Sequence, residues 1–249
     1  MTRVRVGSAA TMFRPALLLP VLAFALLIGL GTWQVQRLGE KRALLALMAQ
    51  RLDQPPVKLP TKIDQGDAAQ WRYRPVRATG RFLHDRERYV YAIGPDQARP
   101  GYHVYTPLDR GEGPLLLVNR GWVPASLRDP ALRATGQVEG LVTVAGLARL
   151  DRQPNAFTPP DEPTRHVYYA PRVDVLAAGL DKPVLPVMLE ANRTPNPGGW
   201  PQGGVTRVDI PNNHLQYAFT WYGLAAVMAV IVLLMWRRTQ AVARPPRDQ

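Results

Sequence analysis

The sequence predicts a membrane-anchored α+β protein, in which two transmembrane helices bracket a β-rich outer domain built as an antiparallel barrel or sandwich. Three observations carry this expectation. Two uncharged apolar runs, Pro15 to Val35 and Tyr217 to Trp236, stand near the two ends of the chain, and about 20 apolar residues are what a helix needs to cross roughly 30 Å of hydrocarbon. Between them lie short runs rich in Val, Tyr, Leu and Thr, bounded by Gly, Pro and Asp turn signals, the pattern of an all-β sheet closed or doubled on itself. The stretch between the spans is also long enough for one sizeable core, and with no Cys in the 249 residues that core has neither disulfides nor thiolate metal sites to lean on.

The implied order is a tail over residues 1–14, a first span over 15–36, the outer domain over 37–211, a second span over 212–236 and a tail over 237–249. The first apolar run follows Arg3, Arg5 and Arg14, as a signal peptide would. It is longer than a signal core, however, and ends in Gly29, Gly31, Trp33 and Gln34 without an A-x-A site, which favours a retained span. Gly29, Thr32, Trp33 and Gln36 recur at helical spacing and suggest a packing face. Leu38 to Leu52 places Leu44, Leu45, Leu47, Met48 and Leu52 as an amphipathic helix that extends or follows the span, ended by Pro55 and Pro56.

Strands are expected at RYRPVRATGRFL, ERYVYAI, GYHVYTPL, GPLLLVNRGWVP, EGLVTVAGLARL, RHVYYAP and PVLPVMLE, with a short helix at VDVLAAGL and an irregular connection at PNPGGWPQGG, near the membrane surface. The second span opens with Asn212 and Asn213 as candidate caps and closes on Trp236, Arg237 and Arg238, an aromatic belt residue with a basic anchor. Arginines before the first span and Arg237, Arg238, Arg244 and Arg247 after the second put both tails in the cytoplasm. Arg37, Lys41 and Arg42 pull the other way, but long domains translocate with little regard to charge, so the β-rich domain faces the periplasm or an intermembrane space.

His214 draws attention because Tyr217 and Trp221 follow it at one and two helical turns, setting an imidazole and two rings on one stripe where lipid gives way to water. At a helix N-terminus the macrodipole favours the uncharged ring that can bind a metal. The alternatives are an interfacial histidine bonded to headgroups or a loop, or a ligand to a cofactor.

Most other functions lack support. The net charge of +12 raises nucleic-acid binding, but the basic residues are scattered and several flank the spans, where anionic lipid is the simpler partner. Neither serine, Ser8 or Ser126, sits in a nucleophile elbow, and no phosphate-cradling loop or H-E-x-x-H is present. His84 beside Asp85 could form an acid/base pair of an outer-face enzyme, but lies in an expected turn; His103 and His166 alternate with apolar neighbours in expected strands. Asn119, Arg120, Gly121 and Trp122 suggest a strand bend where backbone needs room, with Arg120 paired to a core carboxylate and Trp122 filling the core, or else an interaction surface.

GTWQVQRL closing the first span, VNRGWVP in the middle and NNHLQYAFTWYGLA opening the second together resemble the Surfeit locus protein 1 family, over nearly the whole chain. The resemblance implies a non-enzymatic factor that assembles haem-copper terminal oxidases, chiefly cytochrome c oxidase. Bacterial members resemble haem a chaperones that take the cofactor from its synthesis enzyme and aid its insertion into subunit I, and the haem-contacting histidine corresponds to His214 here. Arg37 would then serve the propionates and Trp33, Tyr217 and Trp221 the ring faces. The chain opens without an Arg- and Ser-rich transit peptide, which suggests a bacterial inner membrane. A cofactor-free scaffold that stabilises an assembly intermediate is the alternative.

Overall fold

The structure is a computed structural model that describes residues 9–95, 99–204 and 212–242. The chain divides into a helical unit, comprising residues up to Leu47 and from Asp209 onward, and a β unit from Met48 to Val208. Arg3, Arg5, Arg244 and Arg247, on which the expected orientation partly rests, lie outside the described residues, as does Pro211 before the second helix.

The first helix, α1 (Ala9–Leu52), is unbroken over 44 residues, about 66 Å at 1.5 Å per residue and twice what a hydrocarbon core requires. Span and amphipathic continuation are therefore one rod that starts within the expected N-terminal tail. After Pro20 no Pro follows until Pro55, and Gly29, Gly31 and Gly39 are each too weak a breaker to end the helix. The last helix, α3 (His214–Val242), has 29 residues; its first turn closes on Asn213, whose carbonyl accepts from the Tyr217 amide at 3.2 Å. Both helices are long and apolar enough to cross a membrane.

Within the helical unit the two rods run antiparallel. His214 meets Gln34, Tyr222 meets Gly31 and Thr32, and farther along Val21 and Phe24 share a groove with Ala229, Val232, Leu233 and Trp236. Among the described residues α1 buries Gly31, Gln34 and Leu38, at i, i+3 and i+7, and Met48 farther along in the β unit. Gly29, Trp33 and Gln36 are exposed, so the packing face is turned from the one expected. In a helix apolar all round, periodicity does not fix the phase.

In the β unit the strands are β1 (Val57–Lys58), β2 (Pro75–Phe82), β3 (Arg88–Ile93), β4 (Pro100–Asp109), β5 (Leu115–Pro124), β6 (Val142–Arg149), β7 (Val167–Tyr168) and β8 (Val184–Ala191), with the short helix α2 (Val173–Leu176) before β8. The order is β1-β2-β6-β8-β5-β4-β3-β7, and a further pairing of β2 with β4, Arg81 opposite Asp109 and Phe82 opposite Leu108, closes a ring of five strands. That circuit, with one parallel pair between β5 and β8, matches a five-stranded Greek-key barrel of the oligonucleotide/oligosaccharide-binding kind, a likeness of architecture alone. β3 and β7 extend the sheet beyond β4, and the β3–β7 and β1–β2 pairs are also parallel. The sheet is thus mixed, where antiparallel pairing was expected.

Val76, Leu108, Leu116, Val118, Val187 and Leu189 fill the barrel. Leu117 and Met188 face the other way, into a second cluster with Val90, Tyr168 and Leu176 of α2. Every residue of β5 from Leu115 to Val123 is buried. A strand covered on both faces reads as a continuous apolar run, which is how LLLV appears.

Candidate functional site

The His214 site is built by two helices. At the first turn of α3, the His214 ring places Nδ1 2.7 Å from Oε1 of Gln34 on α1. An amide oxygen only accepts, so Nδ1 carries the proton and Nε2 presents its lone pair. Gln34 is 9% exposed, an amide held in an apolar seam by this partner. The next contact locks the register: Tyr222 hydroxyl and Thr32 Oγ1 are 3.3 Å apart, and a Cβ on Gly31 would stand 2.6 Å from the Tyr222 ring. Ala218 and Ala225, 3% and 1% exposed, supply small residues on the same side of α3.

The other expected site residues lie around this seam. Arg37 stacks on Trp33 at 5.6 Å and pairs with Glu40 at 2.7 Å on the exposed flank of α1. Tyr217 is exposed and Trp221 half-buried on α3. The structure joins Trp33 to Arg37 and His214 to Gln34, and gives no direct contact between the two pairs. Gln34 and Tyr222 had no expected role, although a Gln inside an uncharged span is itself a signal, since polar groups there face a partner helix.

In the β unit the polar centre is Glu87, its side chain 2% exposed. Arg133 grips both its oxygens, Arg120 Nη1 lies 3.6 Å away, Tyr89 hydroxyl donates at 3.1 Å, and His84 Nδ1 stands at 3.8 Å. Burial alone would raise the Glu87 carboxyl, but the His84 ring and the two guanidiniums outweigh it and hold it at about 2. Burial pulls the Arg120 guanidinium down to about 10 against the opposing pull of Glu87, and pushes the Tyr89 phenol up, helped by the adjacent carboxylate.

Arg120 thus has the core carboxylate the sequence suggested, and also bonds the Gly136 carbonyl and Asn196 Oδ1. Asn119 accepts from the Gly121 amide at 3.1 Å, and Trp122 points Nε1 at the Ala92 carbonyl, 3.4 Å away. Gly121 has φ +131°, and a Cβ there would lie 2.0 Å from the Gln202 carbonyl. Asn119, Arg120, Gly121 and Trp122 are all buried, so they tie the 195–204 connection to β5 and do not form an exposed interaction surface. That connection belongs to the β unit. His84 does not pair with Asp85, which is exposed and turned to Arg86; its Nε2 bonds the Val138 carbonyl at 2.9 Å. His166 is a turn residue at φ 53°, not a strand residue, and His103 on β4 is lowered by burial to about 4, its Nδ1 without a hydrogen-bond partner. Among the described residues no group of three His, Asp or Glu gathers to hold a metal ion.

A closed β barrel in one unit, and in the other two long apolar helices with a histidine clasped to a glutamine where they meet, define a β-barrel protein with apolar helices near both ends of the chain. A model of the SURF1 family matches residues 21–226, and the chain belongs to that family. It is 36% identical over 244 residues to a SURF1-like protein of Monosiga brevicollis, covering 92% of this chain and 90% of that one. It is 36% identical over 232 residues to Surfeit locus protein 1 of Homo sapiens, covering 86% and 74%, and 36% identical over 231 residues to that of Mus musculus, covering 86% and 72%.

Proposed function

We propose that this chain is an assembly factor for a haem-copper terminal oxidase, cytochrome c oxidase by the family resemblance, and that it carries haem a to subunit I with His214 as the iron ligand. It acts by binding and handing over, not by catalysis. In this reading α1 and α3 cross a bacterial inner membrane, both tails are cytoplasmic and the β barrel is periplasmic.

The observation that carries the proposal is the His214–Gln34 contact. A histidine that ligates a metal through one ring nitrogen donates the other N–H to a fixed acceptor, and Nδ1 is so engaged at 2.7 Å. The donor set therefore fits one axial imidazole. The family resemblance supplies the rest of the reading: the apolar helix pair would take an isoprenoid tail, Arg37 would exchange Glu40 for the propionates, and Trp33, Tyr217 and Trp221 would cover the ring faces. A single histidine at the start of a helix is a weaker hold than two axial ligands inside a bundle, which suits a carrier that must let go.

The test is the purified protein's company and colour after co-expression with the haem a synthesis enzyme and subunit I. The carrier reading expects a haem spectrum in the wild type, loss of that spectrum in His214→Ala, and subunit I that co-purifies in the wild type. A colourless wild type that still captures subunit I overturns the carrier reading and leaves a cofactor-free scaffold.

A further inference from the structure

We infer that Gln34 is the positioning residue of the His214 site, and that its being an amide and not a carboxylate sets how firmly the imidazole holds iron. The inference rests on the reading of His214 as the iron ligand. Its grounds are geometric. Gln34 is buried on the one face of α1 that meets α3, between Gly31 and Leu38, and its Oε1 lies 2.7 Å from His214 Nδ1. Gly31 below it is pressed against the Tyr222 ring, and the Thr32 hydroxyl meets the Tyr222 hydroxyl. The helix seam therefore cannot slide without breaking several contacts at once, and the amide oxygen is fixed in place.

Two consequences follow. First, the bond assigns the tautomer: with Nδ1–H donated to Gln34, Nε2 is the nitrogen left to bind iron, and the ring is held in one orientation. Second, the acceptor tunes the ring. A carboxylate accepting from Nδ1–H draws the proton strongly and makes Nε2 a more basic, tighter ligand; an amide oxygen is neutral and does this less. A carrier gains from the weaker arrangement. Gln34 also makes the site bipartite, because the ligand is on α3 and its orienting acceptor on α1, so the site exists only while the two helices are packed.

The experiment titrates ferric haem into the full-length protein in detergent and follows the visible spectrum and the midpoint potential for the wild type, His214→Ala, Gln34→Leu, Gln34→Glu and Thr32→Val. The inference expects Gln34→Leu to bind roughly 10- to 100-fold more weakly with a raised potential. It expects Gln34→Glu to lower the potential and to slow haem transfer to apomyoglobin. Thr32→Val removes a neighbouring interhelical contact, so a role limited to helix packing predicts that it behaves as Gln34→Leu does; the positioning role predicts that it keeps the wild-type spectrum and potential. If Gln34→Leu and Gln34→Glu both match the wild type while His214→Ala loses haem, the inference is overturned and the carrier reading stands. A wild type that binds no haem overturns the carrier reading itself.

Discussion

A carboxylate shared by two guanidiniums inside a protein costs most when one partner is removed, because the other is left charged and unsolvated. Glu87 is in that position between Arg133 and Arg120, so Arg133→Leu should destabilise the β unit by about 3–5 kcal/mol, measured by denaturant unfolding of the full chain in detergent. Acid should act at two residues in sequence. His103 is lowered to about 4 from 6.5, so the unfolded chain binds a proton before the folded one, and stability falls as pH drops from about 6.5 to 4. Glu87 is lowered to about 2 from 4.5; its contribution, on the order of 3 kcal/mol, is complete above about pH 4.5 and is lost as pH falls toward 2. Melting temperatures across pH 7.5 to 2.5 should therefore decline in two stages, with His103→Phe shrinking the upper one, to which His166, also lowered by burial, adds. A flat profile from 6.5 to 4 would count against a buried, uncharged His103. The sequence hinted at a core carboxylate for Arg120, but which one was not readable: Glu87 is distant along the chain and sits in ERYV beside a turn, where an exposed Glu is the ordinary expectation.

At the scale of elements, strand positions were legible and partners were not. Runs such as RYVYAI and VTVAGLAR carry β-branched and aromatic residues whose preference is local, and the structure has β3 and β6 there. The parallel pairing of β5 with β8 depends on a crossover through β6, β7 and α2, and no local pattern encodes it. The same limit applies to the helices, whose existence was plain while the packed face of α1 was not. That face gives a direct prediction. A Cβ at residue 31 would stand 2.6 Å from the Tyr222 ring, so Gly31→Val should push α1 and α3 apart and lower the melting temperature of the full chain in detergent. Tyr222→Ala removes the ring that the added side chain meets, so Gly31→Val should cost less in that background than in the wild type. A Gly31→Val variant as stable as the wild type would mean that α1 and α3 do not pack as seen here.

At the scale of the molecule, two apolar rods and a closed barrel are what membership of the SURF1 family looks like in this chain. The bracket of two long apolar helices around a β domain was legible because a run of about 20 apolar residues favours a long helix, and two of the three family motifs sit at the ends of those runs. The clasp between Gln34 and His214 was not legible, since nothing in a sequence says which of several polar residues in one apolar helix faces a histidine in another. Orientation is testable without disturbing the fold. Phe157 is 94% exposed, so a Phe157→Cys variant in intact bacterial cells should react with a membrane-impermeant maleimide once the outer membrane is permeabilised, whereas a cysteine placed at Arg247 should react only after lysis. The reverse pattern would put the barrel in the cytoplasm and remove it from the side on which the proposed delivery takes place.

If one imidazole in the helix seam holds haem iron, the optical spectrum of the purified protein reports it. After co-expression with the haem a synthesis enzyme, the wild type should show a haem a spectrum at close to one haem per chain, and His214→Ala should be colourless at equal yield and with an unchanged β-unit melting temperature. A wild type without haem, or a His214→Ala variant that keeps it, would rule out His214 as the iron ligand.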